Sequence, residues 1–199
     1  MLIWKFLDFL YIMDETPLVN GQLISDQTCI TDKTMIHELE QKGYGEIENK
    51  KLFLQEFETL YLLYTKKLIL KKGKKHFDFD SFMSLCQKTS SEVLTKFLIY
   101  RDLRNRGYVV KDGFGFGSDF RVYERGHFGE KGAKFLIFGL NEGQQEKIGT
   151  LQKKIQEITQ MGKEPIIAVI ERRGEIIYYK INKMNFYENK SRIDESFDL

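Results

Sequence analysis

At 199 residues, 42% hydrophobic and 30% charged, the chain has the make-up of a globular protein with room for one large or two small domains, each able to bury a core. A net charge of +2 excludes a polycation that would bind nucleic acid through its total charge, although a balanced total still conceals local segregation. The cysteines Cys29 and Cys86 lie far apart, lack metal-ligand spacing and fit buried thiols in a reducing cytoplasm.

The N-terminal run MLIWKFLDFLYI is apolar but broken by Lys5 and Asp8. It is too short for a membrane helix and has neither a basic leader nor a small-residue cleavage site. It is expected to pack as a terminal element, a strand or a dimer contact, in a cytoplasmic protein.

Leu18 to Thr31 alternate around Asn20-Gly21, a dipeptide that favours a tight hairpin turn because both residues tolerate positive φ. Asp32 reads as the N-cap of a short helix through Glu40, closed by Gly43. A loop leads to Lys51–Leu54, followed by a helix rich in Leu60, Leu63 and Tyr64. Leu68-Ile69-Leu70 reads as a strand before a lysine cluster, and Asp80 as the cap of a helix through Gln87. The paired lysines at 66–67, 71–72 and 74–75 show local segregation of charge, and each pair also suits a solvated surface.

A new helix is predicted from Ser90 or Ser91, with Leu94, Phe97, Leu98 and Leu103 as its buried stripe and Arg101, Arg104 and Arg106 as a basic flank. Strands follow at Tyr108–Lys111, Asp119–Tyr123 and Lys134–Phe138. Gly113, Gly115 and Gly117 are spaced like a phosphate loop, but a strand rather than a helix follows, so a turn between strands is expected. Gln144–Met161 carries Ile148, Leu151, Ile155, Ile158 and Met161 on one helical face and ends at Gly162. Pro165–Glu171 and Glu175–Lys180 form a hairpin around Arg172-Arg173-Gly174, and the tail after Phe186 is polar. No internal repeat is evident.

The string from Tyr100 to Tyr123, YRDLRNRGYVVKDGFGFGSDFRVY, closely resembles the catalytic domain of archaeal tRNA-intron splicing endonucleases. The likeness extends from Leu94 to Tyr179, and the N-terminal half agrees in layout. It implies an α/β (α+β) chain of two small domains, with a nuclease-like C-terminal mixed β-sheet flanked by helices. The expected boundaries are 1–90 for an N-terminal α/β domain, 91–188 for the catalytic-type domain and 189–199 for a polar tail.

The activity implied is cleavage of precursor tRNA at intron boundaries in bulge-helix-bulge RNA, leaving a 2′,3′-cyclic phosphate and a 5′-hydroxyl. No metal and no cofactor are expected. Tyr123 stands where the family's general base stands, taking the proton of the ribose 2′-hydroxyl. A phenol ordinarily ionises near pH 10, so the role calls for a cation beside it. Lys163 matches the family lysine that also neutralises charge on the phosphorane.

The family's general acid is a histidine opening the strand after the tyrosine. Here that run is Gly132-Ala133-Lys134-Phe135-Leu136, so glycine occupies the place. His127, four residues after Tyr123 in a Gly-flanked loop, is the candidate acid and equally a surface residue. Lys111, Arg125, Lys131, Lys153 and Lys154 are the expected RNA contacts. The family arginine that stacks on a bulged base falls nearest Gln156 here, and a lysine stacks poorly in its stead.

The resemblance also implies a homodimer, a homotetramer or a heterotetramer with a paralogous subunit, because two sites must span two bulges. The family's acidic docking loop corresponds to the mixed-charge Glu171-Arg172-Arg173-Gly174-Glu175. The runner-up reading is a non-catalytic structural subunit of such an assembly. A metal-dependent nuclease using Asp119 and Glu171 is a remote third, lacking a matching lysine motif.

Overall fold

The computed structural model describes residues 18–113, 117–143 and 148–181. The expected N-terminal element, the centre of the glycine turn, the first residues of the 144–161 helix and the polar tail fall wholly or partly outside them.

The first half builds a six-stranded sheet. Strands β1 (Val19–Ile24), β2 (Gln27–Ile30), β3 (Glu46–Glu48), β4 (Lys51–Leu54), β5 (Leu68–Lys72) and β6 (Lys75–Phe77) lie in the order β3-β4-β2-β1-β5-β6. Helix α1 (Lys33–Gln41) begins at Asp32, whose carboxylate accepts from the Met35 amide at 3.0 Å. Helices α2 (Glu56–Tyr64) and α3 (Phe79–Cys86) complete the unit.

The hairpin does not turn at Asn20-Gly21. That dipeptide lies inside β1, and the chain reverses at Ser25-Asp26, where Ser25 has φ 50°. The reason is non-local: β1 also pairs in parallel with β5, with Gly21 beside Leu70. A Cβ on Gly21 would meet Leu68 and Thr28 side chains at 3.0 Å, so the glycine serves close approach rather than a turn.

Strand β3 lies within the expected loop before Lys51, and β6 returns through the lysine cluster. Asp78, not Asp80, caps α3, accepting from the Ser81 amide at 2.9 Å. Cys29 and Cys86 are buried free thiols, and burial pushes the Cys86 thiol up to about 12.

The second half opens with helix α4 (Val93–Asn105), followed by β7 (Val109–Asp112), β8 (Phe120–Tyr123), β9 (Phe135–Asn141), helix α5 (Ile148–Gln160), β10 (Glu164–Ile170) and β11 (Ile176–Lys180). The strands form one sheet, β11-β10-β9-β8-β7, in which only β9 and β10 run parallel, joined by α5. The buried face of α4 is Val93, Phe97, Ile99, Tyr100 and Leu103. Leu94, expected there, is 44% exposed; Val93 takes the buried position one residue earlier.

The two sheets share one core. Tyr100 of α4 stacks on Phe57 of α2 at 4.9 Å, and Phe57 meets Phe120 of β8 edge-on at 5.1 Å. Aromatic pairs in this geometry stabilise beyond their buried area by about 0.5–1.5 kcal/mol each. Beside them Glu58 is only 1% exposed. Its carboxylate accepts from the backbone amides of Gly45 and Gln55, each at 2.9 Å, yet burial still pushes the group up to about 7.

An acid whose pKa is raised by folding takes up a proton on folding, so its contribution to stability is largest below its unfolded pKa. Stability is therefore expected to fall by roughly 3 kcal/mol as pH rises from about 4.5 to about 7 and to level off above. Urea midpoints across pH 5–8 for wild type and Glu58→Gln check this. The wild-type decline should flatten in the variant, and parallel curves would refute it.

Candidate active site

The C-terminal end of β8 meets the N-terminal ends of β9 and β10 at one edge of the second sheet, because β8 runs against β9 while β10 runs with it. Val122 pairs with Phe135, and Phe135 with Glu164. Backbone bonds extend the register: Lys134 N donates to Val122 O and Glu164 N to Lys134 O, both at 2.9 Å. Tyr123, Lys134 and Lys163 therefore fall in the next row. Two strand spacings put the backbones of Tyr123 and Lys163 about 10 Å apart, within the combined span of a tyrosine and a lysine side chain.

Lys163 owes its place to the end of α5. Gly162 turns with φ 69°, and Lys163 N donates to Ile158 O at 3.1 Å, closing the helix. From there its ammonium reaches across to β9: Lys163 Nζ lies 3.3 Å from the point a Cβ on Gly132 would occupy. The position where the family resemblance leads one to expect a histidine thus adjoins the lysine. Among the described residues beyond its two chain neighbours, only the Lys163 ammonium comes within 4 Å of that point.

Tyr123 is half-buried, and its ring meets Phe128 edge-on at 5.0 Å. Phe128 also closes on the first unit, since a Cβ on Gly43 would stand 3.2 Å from its ring. The 124–131 loop is wound by bonds from His127 N to Glu124 O and from Lys131 N to His127 O, at 3.1 and 3.0 Å. A Lys134–Glu124 hydrogen-bonded ion pair ties the loop to β9; this bond holds the Glu124 carboxyl below its usual range and the Lys134 ammonium above its own.

His127 sits beside Glu130. Its Nδ1 is shielded from solvent, 3.5 Å from Glu130 Oε2 and without a hydrogen bond. Phe128, not His127, lies on the Tyr123 ring. The sequence offered no sign of Phe128 or Lys134 as neighbours of the site beyond their nearness in the chain.

The expected RNA contacts divide. Arg125, Lys131 and Lys153 are exposed, with the Arg125 guanidinium 4.7 Å over the Tyr108 ring. Lys154 is half-buried with its ammonium 5.4 Å over Phe138, and it lines a cleft of ≈ 510 Å³ with Lys96, Asp119 and Asn141, at the other end of the sheet from Tyr123. Lys111 departs from expectation. It is 8% exposed, and its ammonium is hydrogen-bonded to the Gly45 carbonyl and lies 3.3 Å from Glu46. It therefore joins the two units instead of facing a ligand.

Asp119 and Glu171 do not form a pair. Asp119 is level with Ile167 on the sheet, two strands away, and Glu171 is four residues further along, a backbone separation on the order of 15 Å. The Asp119 carboxylate instead accepts from Gly139 N at 2.7 Å. Among the described residues, no three His, Cys, Asp or Glu side chains gather in a metal-binding cluster.

Comparison with known proteins places both units of the described chain in one family. Residues 93–178 match the family model described as tRNA intron endonuclease, catalytic C-terminal domain, and residues 19–83 match tRNA intron endonuclease, N-terminal domain. The chain is 32% identical over 164 residues to the tRNA-splicing endonuclease of Methanococcus maripaludis, covering 82% of this chain and 93% of that protein. It is 31% identical over 169 residues to that of Thermococcus onnurineus, covering 84% and 98%. For Pyrococcus furiosus the figures are 32% over 145 residues, 73% and 84%.

Proposed function

Because the chain belongs to the tRNA intron endonuclease family, we infer that it is a tRNA-splicing endonuclease that cuts precursor tRNA at intron boundaries. The observation that carries the reading at residue level is the shared row of Tyr123 and Lys163 at one sheet edge.

In the proposed reaction the Tyr123 phenolate removes the 2′-hydroxyl proton. The freed 2′-oxygen attacks the adjacent phosphorus, and the bond from phosphorus to the 5′-oxygen breaks. The products are a 2′,3′-cyclic phosphate and a 5′-hydroxyl. The Lys163 ammonium offsets charge on the phosphorane and favours the phenolate. His127 delivers the proton that the leaving oxygen needs, swinging from its place beside Glu130 on the Gly126–Gly129 loop. Arg125 and Lys131 hold phosphates nearby, and Lys153 and Lys154 hold phosphates further along the RNA, Lys154 from the cleft at the other end of the sheet.

The enzyme works in the cytoplasm as a dimer or tetramer, of one chain or with a paralogue, so that two sites reach two intron boundaries. Among the described residues no helix is long and apolar enough to cross a membrane.

One observation favours a second reading. The empty side-chain position at Gly132, beside the Lys163 ammonium, fits a subunit that leaves the acid step to a partner chain. The two readings separate when the chain is purified alone and incubated with bulge-helix-bulge RNA in EDTA. Cleavage supports the self-sufficient enzyme; cleavage only after a paralogue is added supports the partner subunit. Cleavage that needs added magnesium overturns both.

Tyr123→Phe is expected to slow single-turnover cleavage by about 10²–10⁴, the usual worth of a general base, while RNA affinity stays within a few-fold. An unchanged rate removes Tyr123 from the mechanism.

His127→Ala should slow cleavage of normal RNA, and a substrate with a 5′-thio leaving group, which needs little protonation, should restore the rate. If the variant cuts normal RNA at the wild-type rate, His127 is a bystander. The second reading then predicts that Gly132→His raises cleavage by the chain alone. Among the described residues the new Cβ meets only the flexible end of Lys163, so the protein is expected to fold normally.

A further inference from the structure

The ten residues from Lys66 to Lys75 hold six lysines and no acid. Strand β5 enters the core through Leu68 and Leu70 and leaves it at Lys71. From Lys71 to His76 every residue is exposed, so the β5–β6 tip stands beyond the core with both faces in solvent. Its register sets one ammonium against another, Lys72 opposite Lys75, with Lys71 opposite His76. Directly opposed like charges in a hairpin destabilise it.

No described carboxylate relieves them. Among the described residues Lys71, Lys72 and Lys74 have no acidic partner, and the Lys75 ammonium rests 4.8 Å over Phe77. Asp78 is engaged in capping α3. Lysine on an edge strand commonly blocks unwanted pairing, and that accounts for Lys75 on β6. It does not account for Lys71 and Lys72, because β5 is interior, bonded to β1 on one side and β6 on the other.

We propose that the β5–β6 tip, Lys71 to Lys75, grips the sugar-phosphate backbone of a helical arm of the RNA, away from the cutting site. The proposal rests on the reading of RNA as substrate. A polyanion supplies the countercharge that the described residues do not, and it releases condensed cations on binding. Lysine is a compact point charge without a planar fork, so the contact is blind to sequence.

The direction of β5 carries the grip outward. Lys67, just before β5, and Val109, the partner of Tyr123, line one groove. From Leu68 the strand runs outward for about 13 Å to Lys72. The tip therefore extends the footprint along the RNA rather than touching the scissile phosphate.

The test compares K71Q/K72Q/K74Q/K75Q with K33Q/K50Q/K51Q/K88Q, which removes the same charge from exposed sites elsewhere on the first unit. Precursor tRNA affinity is measured against salt for both full-length variants and wild type. The tip variant should bind about tenfold or more weakly near 0.1 M salt, and its log–log slope should shrink by roughly one for each phosphate it no longer neutralises. The control should follow wild type.

Melting is expected no lower in the tip variant than in wild type, since the like-charge pair is relieved, which separates a weaker grip from a weaker fold. Equal losses of affinity in both variants, or none in either, overturn the proposal. So does a change of oligomeric state with RNA affinity intact, which would make the tip a contact for an acidic protein. A wild type that fails to bind or cut this RNA, alone or with a paralogue, sinks the functional reading and the tip's role with it. A wild type that does so while the tip variant binds equally well sinks only the latter.

Discussion

The parallel pairing of β9 with β10 is the constraint on which the site depends. Parallel neighbours cannot be joined by a tight turn, so the chain must cross over, and here the crossover is α5. Its return brings the start of β10 to the same sheet edge as the start of β9. Because β8 runs the other way, its end arrives there too. Tyr123 and Lys163, forty residues apart in the chain, become level as a result. An antiparallel β10 would have sent Lys163 to the opposite edge, next to Asp119.

A second layer of order comes from the join between the two units. Phe57, Tyr100 and Phe120 come from α2, α4 and β8 and touch in one cluster. Around it, polar groups do work that apolar packing cannot. Lys111 hydrogen-bonds to the Gly45 carbonyl, Glu58 receives the Gly45 amide, and Arg104 lies 4.0 Å over Tyr44 while donating to Lys42 O. The strand that carries Lys111 also supplies Val109 opposite Tyr123. The segment from Lys42 to Glu46 is thus held by both polar and apolar contacts from the second unit, and with it the floor under Phe128.

What could be read in the sequence followed the range of each force. Asp32 was recognisable as a cap because its partner amide is three residues away. The 165–180 hairpin was recognisable because Gly174 and two alternating runs are adjacent. Asn20-Gly21 misled because the parallel partner of β1 lies nearly fifty residues on. Strands β3 and β6 are short and polar, and pairing alone makes them strands. Lys111 resembled any strand lysine, its carbonyl partner being 66 residues distant. The Tyr123–Lys163 pairing came from family likeness, since no local pattern links a strand end to a helix end. The likeness also marked Gly132 as unusual, whereas its nearness to the lysine emerges only from the fold.

The seat of Lys163 also has a mechanical side. Among the described residues, a small buried cluster of Leu136, Phe138 and Ile158 lies between its helix and the sheet, and the helix contributes Ile158 to it. The same residue's carbonyl accepts the Lys163 amide. One isoleucine therefore both anchors the helix sideways and fixes where it ends. A slide of α5 by one residue, about 1.5 Å, would carry the ammonium with it and leave the tyrosine where it is. The two partners sit on different parts of the sheet's scaffold: one on an interior strand, the other just past the tip of the crossover helix. Pressure on the outer face of that helix, from a neighbouring chain or from RNA, has a direct path to the distance between them.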